Sequence, residues 1–247
     1  MDKSFTKIRE ELMNRWPRML TRRLASALAS TGCTALAASV FGQSNIDPAH
    51  QFSWQENCGW LNWRDANAGA AGVVAGIDFF SGYIWAENVG WINVGDGTPA
   101  ANCDGVSCYG NSDGTDFGIN VDADGTLRGL AWAENVGWIN FDTLAALGLY
   151  QQEARLNLCD NTLAGHAWGE NIGWINLDDA THFVALGPEC APGDVACDGV
   201  IGLSDYSAFE AILIGPDALV DCPVFDSDAD GDVDLRDFAE FQTQFTG

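Results

Sequence analysis

The chain has 247 residues, enough for one or two domains with a hydrophobic core, and a formal net charge of −24. Seven of its eleven basic residues precede residue 43, so the remainder carries 4 basic against 32 acidic side chains, a net charge of −28. A body this acidic repels phosphate backbones, which excludes nucleic-acid binding and suits divalent cations.

The first 42 residues have the pattern of an export signal. A basic region ending at Arg22-Arg23 precedes a mildly apolar run over residues 24–41, and small residues follow it. We therefore predict a signal peptide over residues 1–42 and a secreted, extracellular or cell-surface protein; the alternative is an amphipathic helix of the folded chain. The apolar run is too short and too rich in Ser, Thr and Gly to span a membrane stably, and no later segment is predicted to span one.

Residues 43–187 contain four copies of one motif, Trp-x-Glu-Asn-x-Gly-Trp-(Ile/Leu)-Asn. Aromatic and β-branched runs around a short Asn/Gly turn predict a β-hairpin in each copy. The glycine supplies the positive φ that the turn needs, and the asparagine can hydrogen-bond turn backbone. The four copies begin at Trp54, Trp85, Trp132 and Trp168, with the asparagines Asn57, Asn88, Asn135 and Asn171 and the glycines Gly59, Gly90, Gly137 and Gly173.

A further strand is predicted in each repeat. It precedes three of the hairpins, at residues 73–74, 119–121 and 156–158, whereas the first hairpin has no leading strand. A matching strand at residues 182–186 follows the last hairpin, so a C-terminal strand is expected to complete the N-terminal unit. The sequence thus predicts a mainly β domain of four three-stranded units, closed either as a barrel or as a propeller-like ring.

The repeated tryptophans have two interpretations. In the structural one, one member of each pair points inward and builds the core. In the other, exposed aromatic rings are platforms for sugars, with Glu and Asn as hydrogen-bonding neighbours. The recurring glutamates also allow a ring of ligand carboxylates, although a Glu that satisfies a Trp N–H or a turn backbone explains them equally: Glu56, Glu87, Glu134 and Glu170.

Export makes the cysteines disulfide candidates. Cys103 and Cys108 close a short loop in a Gly/Asn/Asp-rich insertion, and we predict a bridge between them. A bridge between Cys222 and Cys197 could staple the two halves of the C-terminal region, and Cys190 is the competing partner. The predicted mature chain has seven cysteines, so one thiol is left over.

After a Pro/Gly linker at residues 188–193, residues 194–247 contain two related acidic stretches. The second, DSDADGDVDLRD, alternates carboxylates around a glycine at position 6, which is the ligand pattern of an EF-hand calcium loop. Its predicted ligands are Asp226, Asp228, Asp230, Asp232 through its carbonyl, Asp234 and Asp237. The first stretch, DVACDGVIGLSD, offers fewer charged ligands: Asp194, Asp198, Val200 through its carbonyl and Asp205.

Each loop is followed by a short amphipathic helix, but no helix precedes either loop. This loop–helix pair resembles the type I dockerin module over about residues 190–247, and it is similar to the dockerin-like C-termini of secreted planctomycete proteins. The resemblance implies a calcium-dependent fold of two antiparallel helices that docks an extracellular protein, typically a cohesin. Loop positions 10 and 11 help choose the partner in that family; here they are Leu203-Ser204 and Leu235-Arg236, where Ser-Thr is common.

The expected function is therefore extracellular protein–protein attachment by a calcium-binding dockerin-like module, with a non-catalytic β-repeat body that is structural or binds a ligand. The partner is a cohesin-like or other surface receptor. The alternative is a carbohydrate-binding or polysaccharide-degrading protein. No catalytic residue is assigned, because His50, His166 and His182 fit no zinc spacing or recognisable triad.

Overall fold

A computed structural model describes residues 43–103, 105–143, 152–187, 193–194, 199–213, 222 and 224–246. The predicted signal peptide and residues 188–192 of the predicted linker lie outside these described residues. Neither of the two helices among them is long and apolar enough to cross a membrane.

The described residues are mainly β. In chain order the strands are β1 Ile46–Gln55, β2 Gly59–Asn62, β3 Val74–Ala75, β4 Phe80–Ala86, β5 Gly90–Gly95, β6 Ala101–Cys103, β7 Val106–Cys108, β8 Ile119–Val121, β9 Leu127–Ala133, β10 Gly137–Asn140, β11 Arg155–Asn157, β12 Thr162–Ala164, β13 His166–Gly169, β14 Gly173–Asn176 and β15 Val184–Leu186. The two helices, α1 Leu203–Ile212 and α2 Leu235–Gln244, follow the sheet.

The four motif hairpins are β1–β2, β4–β5, β9–β10 and β13–β14, and together they form a closed antiparallel barrel of eight strands. Each hairpin pairs with the next, and β14 pairs back with β1 through Trp54 and Asn176. Closure removes every free edge from the ring. The structure therefore confirms a mainly β fold and, of the two predicted kinds of closure, selects the barrel.

The additional strands lie outside the ring. β3 pairs with β4, and β8 pairs with β9, as the predicted leading strands of their hairpins. In the last unit β11 pairs with β12, which leads directly into β13. The strand that follows the last hairpin, β15, pairs with β1, so the C-terminal strand completes the N-terminal unit as predicted.

The barrel interior is narrow and is filled by aliphatic and small side chains. One layer contains the Leu or Ile of each motif, and the residue before each turn glycine closes the end of the barrel next to the turns. An eight-stranded barrel has just enough internal width for such layers. The buried side chains are Leu61, Ile92, Ile139 and Ile175 in the central layer, and Cys58, Val89, Val136 and Ile172 at the turns.

Two disulfides are present among the described residues. Cys103 and Cys108 are bridged between β6 and β7, as predicted. Cys222 is bonded to Cys159 in the β11–β12 turn, so the prediction that it pairs with Cys197 or Cys190 was wrong. This bridge ties the barrel covalently to the segment that enters the second acidic loop. Among the described cysteines Cys58 is free; it is buried, and burial raises its pKa, which suppresses thiolate chemistry.

Candidate metal centre and tryptophan belt

The motif turns have one geometry. In the first hairpin Gln55 pairs with Gly59 across a three-residue turn, and the other three hairpins repeat this pairing. The turn glycine has positive φ in all four copies, at 75°, 91°, 80° and 90°, as the sequence predicts. This is a three-residue hairpin loop that ends in a left-handed glycine.

Both tryptophans of each motif lie on the outer face of the barrel, so the prediction that one of each pair builds the core was wrong. The two are direct cross-strand partners, as in Trp54 with Trp60, and directly opposed residues share a face of the sheet. They form edge-to-face pairs with ring centroids 4.7–5.1 Å apart. We call these eight residues the tryptophan belt: Trp54, Trp60, Trp85, Trp91, Trp132, Trp138, Trp168 and Trp174.

The turn asparagines join the hairpins into a ring. Each side-chain Nδ2 donates to a backbone carbonyl in the turn of the preceding hairpin, and the first hairpin donates to the last, which completes the cycle. The sequence predicted bonding to turn backbone but not that the turn belongs to the neighbour. The four bonds are Asn57 to Ile172 at 2.9 Å, Asn88 to Cys58 at 3.1 Å, Asn135 to Val89 at 2.8 Å and Asn171 to Val136 at 3.0 Å.

The four motif glutamates, Glu56, Glu87, Glu134 and Glu170, are all exposed at the turns. Among the residues that the structure describes, the carboxylate groups that lie close enough together to share a cation are elsewhere, in residues 226–237. The glutamates therefore form an acidic rim beside the belt and are not gathered into a metal centre.

The second acidic loop brings its carboxylates together. Oxygens of Asp226, Asp228 and Asp237 lie within 4.8 Å of one another, and so do those of Asp232, Asp234 and Asp237. Two oxygens that each bind one Ca²⁺ at about 2.4 Å can be no more than about 4.8 Å apart, so each group fits a shared ion. Asp237, at loop position 12, belongs to both groups and is fully buried.

Backbone N–H groups hold the ligand carboxylates in place. Asp237 accepts from Ser227 and Asp234, each at 2.8 Å. Asp226 accepts from Asp230 at 3.1 Å and from Gly231 at 3.0 Å. These bonds orient the first and last ligands of the loop toward its centre, and the positive φ of Gly231, 94°, makes the sharp turn between them.

The carboxylate groups of this loop lie close to one another. Desolvation by the surrounding loop, together with the charges of Asp230 and Asp237, raises the pKa of Asp228. Asp230 is outside both oxygen groups, and its Oδ2 lies 3.3 Å from Nη1 of Arg236. Of the five carboxylates predicted as ligands, the structure therefore places four in these groups and the fifth, Asp230, against a cation. Asp232, predicted to bind through its carbonyl, joins the second group with its side chain.

The first acidic loop repeats two of these contacts. Gly199 N–H donates to Asp194 at 2.9 Å, and Gly202 N–H donates to Asp205 at 2.8 Å, which match the bonds from Gly231 and Asp234 in the second loop. Asp194 and Asp205 are buried, whereas the Val200 side chain is exposed. Asp198 lies outside the described residues.

The two helices carry a shared aromatic core. Phe209 of α1 lies 5.2 Å from Phe241 and 5.7 Å from Phe238 of α2, measured between ring centroids, and it also contacts Phe225. Asp234 caps α2 by accepting from Arg236 N–H at 2.6 Å. A predicted ligand is therefore also the N-cap residue of α2.

Two leucines remain outside that core. Leu203 and Leu235 are 76% and 71% exposed, and each is the first residue of its helix and position 10 of its loop.

No family model matches the chain, and no curated protein and no solved structure matches it either.

Proposed function

We propose that residues 194–247 are a calcium-dependent attachment module of dockerin type, which tethers a secreted chain to another extracellular protein. The barrel is then a non-catalytic body that the module anchors. The observation that carries this proposal is the internal repetition of the loops: in both, position 6 N–H bonds the carboxylate at position 1, and position 9 N–H bonds the carboxylate at position 12.

The donor chemistry fits calcium. All predicted side-chain ligands of the second loop are carboxylates, whose oxygens hard cations prefer. Asp237 belongs to both of the carboxylate groups. Bound Ca²⁺ would neutralise the repulsion that raises the pKa of Asp228. Asp237 would be the ligand shared by both oxygen groups, and Asp226 would hold the opposite end of the loop.

The attachment surface is supported by the two exposed leucines. Leu203 and Leu235 occupy equivalent positions in the two repeats, and each starts a helix whose aromatic residues pack into the shared core. Leu235 directly follows the predicted ligand Asp234, and Leu203 lies two residues before the predicted ligand Asp205, so metal binding would fix both positions. We propose that a cohesin-like or other surface receptor buries them.

Calorimetric titration of the mature chain with Ca²⁺, after chelator treatment, tests the metal site. The wild type is expected to take up calcium, and Asp237→Asn to lower its affinity by roughly tenfold or more, because the loop loses a shared charged ligand. Glu240→Gln is the matched control, since it removes one exposed charge from α2 outside the loops. No uptake by the wild type at millimolar calcium would refute the proposal.

Attachment is tested by capture of extracellular surface proteins on immobilised mature chain, with calcium and with chelator. Calcium-dependent capture that is lost in the Leu203→Asp, Leu235→Asp double variant but kept in Glu240→Gln would support the module's docking role. Calcium uptake without calcium-dependent capture would leave a metal site but overturn attachment.

A further inference from the structure

The tryptophan belt has no role in the barrel core, which is filled by other side chains. We propose that the belt is a multivalent binding surface for a neutral polysaccharide, with one subsite at each of the four tryptophan pairs. This site is independent of the calcium module.

The exposure of the belt exceeds what packing requires. Trp54, Trp60, Trp85 and Trp91 are 38–44% exposed. The same barrel contains a tryptophan that serves packing alone: Trp63 has no exposed surface, and its Nε1–H donates to Ser53 at 2.9 Å. The contrast shows that the barrel can bury an indole where stability needs one. The belt instead keeps aromatic surface in water: five of its eight indoles are exposed, and Trp138, Trp168 and Trp174 are half-buried.

The geometry of each pair selects against an aromatic cage for a cation. Such a cage needs open ring faces that converge on one point. Here the two indoles are in direct edge-to-face contact, with interplanar angles of 60–68° and centroids about 5 Å apart, so no gap remains between them. A ligand must lie across the outer surface of the pair. A sugar ring, with its flat C–H face, is suited to that arrangement.

The charge around the belt selects against anions and for hydroxyl groups. An exposed glutamate follows the first tryptophan of every pair by two residues, as Glu87 follows Trp85. These carboxylates are hydrogen-bond acceptors that can take sugar hydroxyl protons, and they repel phosphate, sulfate and uronate groups. The chemistry of each subsite is therefore an aromatic face beside a carboxylate, which complements a neutral, hydroxyl-rich ring.

The repetition favours a polymer over a single sugar. Equivalent tryptophans of neighbouring hairpins are separated by two strands, which places them on the order of 10 Å apart around the barrel. A chain of sugar rings can reach successive subsites at that interval. Because the subsites are linked rigidly, weak stacking at each one adds up as avidity.

Affinity electrophoresis of the full mature chain in calcium buffer tests this inference. Native gels contain soluble neutral β-glucan, xylan or mannan, or the anionic polymer polygalacturonate. Retardation is expected in at least one neutral gel and not in the anionic gel, together with a change in tryptophan fluorescence on titration. Retardation is expected to persist with chelator and at high salt; loss with chelator would place sugar binding in the calcium module and overturn the belt as the site.

Belt variants localise the binding. Trp85→Val with Trp91→Val removes one subsite and is expected to weaken binding roughly tenfold, because avidity is shared; the equivalent change in all four hairpins abolishes it. Glu87→Gln keeps the indoles and is expected to weaken binding without altering the melting temperature, so it tests the subsite even where a Val variant folds poorly. Val106→Ala, which removes exposed apolar surface from β7 outside the belt, is the matched control.

Three further results would overturn the inference: no retardation by any neutral polysaccharide, unchanged retardation in both the Val and the Gln variants, or salt-sensitive binding to polylysine in place of glycan. None of them bears on calcium uptake, so this inference and the proposed attachment role fail separately.

Discussion

Replacing Asn135 with alanine tests the ring of asparagine bonds. Its Nδ2 donates to the Val89 carbonyl at 2.8 Å, and Val89 is only 5% exposed. The variant leaves that carbonyl without its donor in a partly buried turn, which costs about 0.5–1.5 kcal/mol of unfolding free energy. For a chain of this size each kcal/mol lowers the melting temperature by about 2–4 °C. Glu134→Ala is the control, because it truncates the exposed neighbour in the same turn.

Asn57 provides a comparison, because the carbonyl that accepts its bond has a second donor. Its Nδ2 donates to the Ile172 carbonyl at 2.9 Å, but Nε2 of Gln55 donates to the same oxygen. Asn57→Ala therefore keeps the carbonyl satisfied and is expected to cost less than Asn135→Ala. Denaturant unfolding of the oxidised protein, followed by circular dichroism, measures all three variants. If Asn135→Ala is no more destabilising than Glu134→Ala, the bond between hairpins does not contribute as argued.

Three further outcomes are expected. Gly129→Ala should lower the melting temperature of the protein more than Gly105→Ala does. Both glycines have positive φ, but a Cβ at Gly129 would lie 2.3 Å from a backbone carbonyl oxygen, whereas a Cβ at Gly105 would meet open space. Equal melting temperatures of the two variants would contradict this. Serine at both Cys159 and Cys222 should cost about 2–4 kcal/mol and make the C-terminal residues more sensitive to protease than in the oxidised wild type. Because the pKa of Asp228 is raised, protons should compete with calcium at this residue at a higher pH than at an ordinary Asp. The calcium affinity measured by calorimetry should therefore fall as the pH is lowered. Asp228→Asn should make the calcium affinity depend less on pH.

The repeat architecture was predictable because it depends on local rules. The alternation of aromatic and polar residues around a left-handed glycine defines each hairpin. The strand at residues 182–186, which follows the last hairpin and completes the first unit, indicated that the array of repeats closes. The direction of the tryptophans was not predicted correctly. The two indoles are separated by six residues, and only the register of Gln55 with Gly59 shows that Trp54 and Trp60 are directly opposed and share the outer face.

Long-range contacts were the least predictable. Cys222 is nearer to Cys197 in sequence, yet it is bonded to Cys159, 63 residues earlier, because the fold places Cys222 beside the β11–β12 turn. Nothing in the local sequence around Cys159 indicates that contact. The acidic loop was predictable because its ligands are spaced along one short segment. The position of the Asp230 side chain was not predictable, because it depends on a contact with Arg236 of the following helix.

The repeat motif changes at one residue where the first and last hairpins meet, and the pairing of the strands at this junction explains the change. The other neighbouring hairpins share two registered pairs each, but β1 and β14 share one. At this junction Gln55 replaces the Ala or Gly found at that position in the other hairpins. Its amide donates to the Ile172 carbonyl, and its Oε1 accepts from Asn57 N–H at 2.6 Å and from Cys58 N–H at 2.7 Å. A side chain thus supplies hydrogen bonds that the short backbone ladder lacks, at the place where the two ends of the repeat array must meet.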